Sequence, residues 1–255
     1  MEGRIEPYLT SGYAMRGRQG RVIDAIGSQI VGGRYAPGEV LPTEAELTEE
    51  HGVSRTSVRE AMRVLAAKGL VEIRQKVGTR VRQPEQWNVF DSDILRWHSE
   101  RGPSVAILHD LVEIRQVLEP AAARLAAGRA SMEDIKRMED AVRAMAEHAP
   151  DHDAYAHADV DFHVAVYAAS HNLLLRQFGT VVADLLYLAF NVQQAVASGD
   201  RFLERDAERH AAVFRAIDRG QGEAAAEAML TVVLDGKSAL ATALRGTRDA
   251  GQDGD

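Results

Sequence analysis

Apolar and polar positions change rhythm twice along this chain. Between Thr43 and Leu65 the apolar residues fall three and four apart, with Val58, Ala61, Met62 and Leu65 on one stripe, which predicts short helices packed on one side. From Lys68 to Arg82 the pattern alternates around Gln75-Lys-Val-Gly78, as two short strands and a turn would. Beyond Ser104 the rhythm is helical throughout, and it predicts helices at 104–128, 131–148, 152–169, 173–197, 201–219 and 222–244. Long amphipathic helices with short loops predict an antiparallel all-α bundle.

Local chemistry marks where these elements begin and end. Thr43 and Glu46 spell a capping box, Ser54 is an N-cap for the helix carrying Arg55, Thr56 and Arg59, and Gly52 separates the two helices. Ser131 with Asp134, Asp151, and Asn172 read as later caps, with Gly128, Gly199 and Gly220 as punctuation. The chain therefore divides into a flexible arm at 1–20, a helix-turn-helix with a hairpin at 21–83, a linker at 84–103, a helical domain at 104–245 and a flexible tail at 246–255. The expected fold class is mainly α, an N-terminal winged helix-turn-helix followed by the bundle.

Charge sharpens the division. Residues 1–83 hold 13 Lys and Arg against 10 Asp and Glu, whereas the rest hold 17 against 28, so a basic head is joined to an acidic body. The local patch, and not the total of −8, steers approach to a polyanion. A helix entering the major groove by its N-terminal end would bring Arg55, Thr56 and Arg59 to base edges. With no cysteine, disulfides and thiolate chemistry are excluded. Met1–Gly20 has no continuous apolar core of a secretory signal, and the most apolar stretch, 181–192, is interrupted by Asp184 and too short to span a bilayer. A cytoplasmic protein with no membrane partner is expected.

The run from Arg21 to Arg82, with Tyr35-Ala-Pro-Gly38 and Leu41-Pro42-Thr43-Glu44, resembles the DNA-binding domain of the GntR family of bacterial regulators. The resemblance implies that Arg55, Thr56 and Arg59 contact double-stranded DNA in the major groove and that the wing, with Lys76 and Gly78, reaches the minor groove. Two residues depart from the family pattern, Ala45 where an arginine is frequent and Lys76 where the wing tip often has glycine, which implies a different operator.

Two features of the bundle carry polar chemistry. Asp159 and His163 stand four apart and share one helix face, close enough for one metal ion or one polar ligand, while Asp161 lies off that face. His210 shares a stripe with Val213, Phe214 and Ile217 and should point inward, where a hydrogen-bonded core histidine is the simpler reading. Arg115 lies on the stripe of Leu108, Leu111, Val112 and Leu118, so its charge needs a buried partner, for which Glu119 stands at i+4. A metal-dependent hydrolase is disfavoured because no H-E-x-x-H helix or clear general base is present.

The stretch Gln86-Trp87-Asn88-Val-Phe-Asp91-Ser-Asp93-Ile-Leu-Arg-Trp97, followed by the helical region, resembles the FadR-type branch of the GntR family, whose C-terminal sensing domain is called FCD. That resemblance implies a homodimeric repressor on a palindromic operator, with Asp159, His163 and His210 as ligands of a divalent metal, zinc foremost, and Arg115 gripping a small carboxylate effector. The linker is similar to that of regulators of galactonate catabolism, which implies a sugar acid. Metal-binding members supply one more histidine after an Ala-Met pair; here Ala228-Met229 is followed by Val232 at that place. A polar trio that binds the effector without metal, a sensor of another carboxylate, and a DNA-binding adaptor with no effector stay open as alternatives.

Overall fold

The computed structural model describes residues 17–74, 77–101, 105–148, 151–194 and 200–250. They form two units, 1–103 and 104–255. The first contains α1 (Gly17–Val31), α2 (Glu44–His51), α3 (Arg55–Ala67), strands β1 (Val71–Arg74) and β2 (Gly78–Val81), a 3-10 turn at Pro84–Gln86 and α4 (Ser92–Arg101).

Each boundary has a local cause. The Thr43 amide donates to Glu46 Oε2 at 2.7 Å while the Glu46 amide donates back to Thr43 Oγ1 at 3.3 Å, so two orphan amides at the start of α2 are satisfied. Gly52 ends α2 in the left-handed region at φ 60°, and Ser54 Oγ caps α3 by accepting from the Ser57 amide at 3.1 Å. The apolar stripe of α1, Val22, Ile23, Ile26 and Ile30, is buried with Val58, Ala61, Met62 and Leu65 of α3. Each large side chain so buried contributes about 1.5–3 kcal/mol. The antiparallel hairpin sets Val71 opposite Val81, both buried, and Arg74 opposite Gly78. Its inner face closes the core.

The stretch expected to be a linker, 84–103, is folded for most of its length. Trp97 and Ile94 of α4 are fully buried in the core of the first unit, against α1. Lys68, which caps the C-terminus of α3, donates to Asp91 at 2.8 Å and approaches Asp93 Oδ2 at 2.7 Å, so the two aspartates of that motif clamp the end of α3. Helix α1 also begins inside the expected arm, at Gly17.

The second unit contains α5 (Val105–Arg129), α6 (Met132–Glu147), α7 (His152–Ala169), α8 (Leu173–Gln194), α9 (Asp200–Asp218) and α10 (Gly222–Ala250). Arg124 pairs with Glu223 at 2.7 Å, while Arg115, earlier on α5, shares a cavity with Val232 and Gly236, later on α10, so these two helices run antiparallel. Helix α7, which packs on α5, α6 and α8, is buried along most of its length, with Tyr155, Phe162, Val166 and Tyr167 in one core with Met138, Met145, Val213, Ile217 and Met229. The expected caps are present: Ser131 and Asp134 form a capping box, Asp151 caps α7, and Asn172 Oδ1 accepts from the amides of Leu174 and Leu175. Helix α10 runs to Ala250 and so takes in half of the expected tail. Gly199, the end of the helix expected at 173–197 and residues 251–255 lie outside the described residues. Among the described residues no helix is long and apolar enough to cross a membrane.

Candidate DNA-reading face and buried polar site

Arg55, Thr56 and Arg59 are all exposed in the first two turns of α3, on the side opposite the buried stripe. Arg59 Nε is 3.6 Å from Glu44 Oε1, a loose contact between two largely exposed side chains. Such a pair contributes little, so the guanidinium can exchange it for a base or phosphate. At the wing, Gly78 adopts φ 107°, outside the range comfortable for a side chain, and is exposed beside Val77. Lys76 falls outside the described residues. Arg80 is differently employed, since its Nη1 donates to the carbonyl of Gly38 and ties the wing to the loop after α1.

The second site lies inside the bundle. Arg115 and Glu119 come from α5, Asp159 and His163 from α7, Asp206 and His210 from α9, and all six are buried. Each pair is four apart in sequence, so each helix turns two polar groups onto its inner face. Arg115 Nε donates to Glu119 Oε1 at 2.6 Å, and Arg115 Nη2 lies 3.2 Å from His163 Nε2. His163 Nδ1 is 3.0 Å from Glu119 Oε2, at an angle oblique for a hydrogen bond. His210 Nε2 is 3.2 Å from Asp159 Oδ1 and 3.3 Å from His163 Nε2. Asp159, His163 and His210 therefore meet at one point.

The hydrogen bonds fix protons on both imidazoles. A guanidinium only donates, so His163 Nε2 accepts from Arg115 and the ring proton sits on Nδ1, toward Glu119. His210 Nδ1 lies 2.8 Å from the Asp206 carbonyl, which only accepts, so this nitrogen carries a proton. Burial opposes a charge on His210, yet Asp206 and Asp159 outweigh it and push its pKa up to about 9. Burial likewise resists ionisation of Glu119, and the Arg115 charge with His163 beside it overcomes this, holding the carboxyl at about 2. Asp159 is also held below the ordinary range, against its burial, by the hydrogen bond from His210 and the surrounding cations. Asp206 goes the other way: burial pushes it up, and its Oδ2 accepts from the Tyr155 hydroxyl at 2.8 Å.

A cavity of about 20 Å³ lies among these groups, walled by Leu186, Phe190, Phe202, Val232 and Gly236. It has room for about one water or one ion.

Residues 18–81 match the family model described as bacterial regulatory proteins of the gntR family, and residues 110–234 match that of the FCD domain. The galactonate operon transcriptional repressor of Escherichia coli strain K12 is 36% identical over 213 residues, which cover 84% of this chain and 92% of that protein. The chain belongs to the GntR family. The HTH-type transcriptional regulator LutR of Bacillus subtilis strain 168 is 32% identical over 205 residues, covering 79% of this chain and 91% of that one. A solved structure titled "Lar controls the expression of the Listeria monocytogenes agr system and mediates virulence" superposes with a TM-score of 0.61 at 17% identity, covering 89% and 98% of the two chains. That likeness shows the fold alone. As a GntR regulator with an FCD domain, the protein is a DNA-binding transcription regulator and not an enzyme.

The FCD match takes in Arg115, Asp159, His163 and His210. The three metal-type ligands offer atoms within 4.8 Å of one another. Asp159 Oδ1, His163 Nε2 and His210 Nε2 are separated by 3.8, 3.2 and 3.3 Å. Ligand atoms about 2.0–2.1 Å from a tetrahedral zinc stand roughly 3.3 Å apart, so the trio suits such an ion. His210 already donates through its other nitrogen to a backbone carbonyl, and Glu119 lies beside the other nitrogen of His163, as orienting partners of metal-bound histidines do. Val232 occupies the cavity wall without a ligand atom.

Glu119 and Asp206 are the site residues that sequence reasoning passed over. From sequence Glu119 reads only as an ion-pair partner of Arg115, and the one signal for Asp206 is its place four residues before His210 on the same face. Asn172 serves as a helix cap, and His171 pairs with Asp134 at 2.8 Å.

Proposed function

We propose that this regulator represses an operon of sugar-acid catabolism and leaves its operator when a galactonate-like acid binds inside the helical unit. The observation that carries the reading is the convergence of Arg115, Asp159, His163 and His210 on one buried cavity, with Glu119 and Asp206 beside them, in a bundle whose core is mostly apolar. Buried charges are costly unless paired or used. Arg115 would grip the acid's carboxylate, and Asp159, His163 and His210 would hold a divalent cation, zinc foremost, that supplies a Lewis-acidic contact for the acid's oxygens.

On the DNA side, Arg55, Thr56 and Arg59 read base edges in the major groove while the wing around Lys76 and Gly78 follows the minor groove. Two such heads in a homodimer demand a palindromic site. A cavity of about 20 Å³ is far smaller than a sugar acid, so binding requires the helices around it to part. That requirement supplies a differential affinity: the acid favours the opened bundle, and release of DNA follows if the opened form binds the operator less tightly.

The experiment is an operator titration at fixed salt, with the purified protein and increasing D-galactonate, followed by fluorescence anisotropy. Dissociation of the complex by galactonate supports the reading. Release by a different carboxylate would reassign the effector. The internally paired network equally suits an adaptor whose bundle only dimerises; retention of the operator against every acid, with none raising the melting temperature, would favour it.

A further inference from the structure

Two partners in the buried site compete for one lone pair. His163 Nε2 accepts from Arg115 Nη2 at 3.2 Å, and the same nitrogen is the one turned toward Asp159 Oδ1 and His210 Nε2. The ring's other nitrogen faces Glu119, so it offers no alternative toward the trio. An imidazole nitrogen carries a single in-plane lone pair, and it cannot serve a guanidinium N–H and a metal ion together.

We infer that Arg115 guards the metal-ligand position of His163, and that a cation entering the trio evicts its Nη2 and arms the guanidinium for the acid. Arg115 keeps its anchor during this exchange, because its Nε holds Glu119 Oε1 at 2.6 Å. Nη2 itself is held weakly on that side, at 3.4 Å from Glu119 Oε2. Once displaced from His163 it is left with unspent donors at the wall of the cavity that Arg115 lines. A carboxylate presents acceptors matched to such a fork. Metal occupancy and acid binding are then coupled in order, cation first and acid second, and coupling between sites is reciprocal. The inference rests on the proposed metal and effector site and adds the order in which that site fills.

The test begins with zinc alone, titrated into metal-free full-length protein against a chromophoric chelator. Arg115→Lys retains the charge without the fork, and Arg115→Met removes both charge and fork while leaving Glu119 in place beside His163. Both variants should bind zinc about tenfold or more tighter than the parent, the scale on which groups around metal-bound histidines act. Unchanged zinc affinity in both overturns the inference, and so does tightening in Arg115→Met alone, which would report loss of charge and no contact. A second arm measures D-galactonate binding calorimetrically to chelator-stripped and zinc-loaded parent protein. Tighter binding to the zinc-loaded form, shrinking in Arg115→Lys, is the expected result; equal affinity overturns the order of filling. If galactonate binds neither form, the effector assignment falls while the zinc titration still decides the exchange.

Discussion

Trp97 occupies the space that a side chain on Gly27 would need. A Cβ placed on Gly27 would lie 2.2 Å from Trp97 Cη2, and the indole Nε1 donates to Asp24 Oδ1 at 2.7 Å, so α4 is pressed onto α1 by one ring and one hydrogen bond. Gly27→Ala should force the helices apart and cost about 1–3 kcal/mol, the usual penalty of overpacking. Urea denaturation of the full chain would show it as a lower midpoint for the first unit. A midpoint equal to that of the parent would mean the ring moves aside freely.

Lys68 is the second tie. Its side chain is nearly buried between Asp91 and the fully buried Asp93. Lys68→Met would take the ammonium from Asp91 and leave the buried Asp93 with Arg96, 3.6 Å away, as its cation, and removing one partner of a buried pair costs up to about 3–5 kcal/mol. Chemical denaturation should register this, whereas a loss below about 1 kcal/mol would place the aspartates in contact with water.

On α3, Arg59→Ala should weaken operator binding by about 1–3 kcal/mol and relax base choice at one position. Thermal stability should hardly change, because the side chain is exposed and only loosely paired. Selection of preferred sites from a random pool would check it, and an unaltered preference would remove Arg59 from base reading.

His210 gives the buried site a pH dependence. Its folded pKa of about 9 lies above the ordinary 6.5, so the stability it contributes is fully present below about 6.5 and is lost as pH rises through about 9. Metal-free protein should therefore melt progressively lower across that interval, and His210→Gln should not show the decline. An identical decline in the variant would assign the effect to other groups.

Val232 lines the cavity beside the trio, and a histidine there would offer a fourth ligand to a site that holds three. Val232→His should tighten zinc binding by about ten- to a hundredfold, as four protein ligands close a structural zinc site. Chelator competition measures this directly. Equal affinity would place the valine outside the metal's reach.

Much of this structure was legible beforehand because its causes are short-range. Capping boxes at Thr43 and Ser131, the cap at Ser54 and the left-handed Gly52 act within three or four residues, so spacing alone reveals them. The same holds for the i, i+4 pair Asp159 and His163, which one helix carries on one face. The stretch at 84–103 was harder to read for the opposite reason. How its tryptophans and aspartates pack onto the first unit shows only once Gly27, Asp24 and Lys68 are brought to them from elsewhere in the chain.

Element types, the placement of Arg55, Thr56 and Arg59 on an open helix face and the inward turn of His210 followed from periodicity, which is a property of one helix at a time. The contest of Arg115 with the trio for His163, the role of Glu119 beside both, and the opposed shifts of Asp206 and His210 arose only when α5, α7 and α9 were packed together. Distances of about 3 Å between different helices set hydrogen bonding and charge in a low-dielectric interior, and no one-dimensional pattern encodes them.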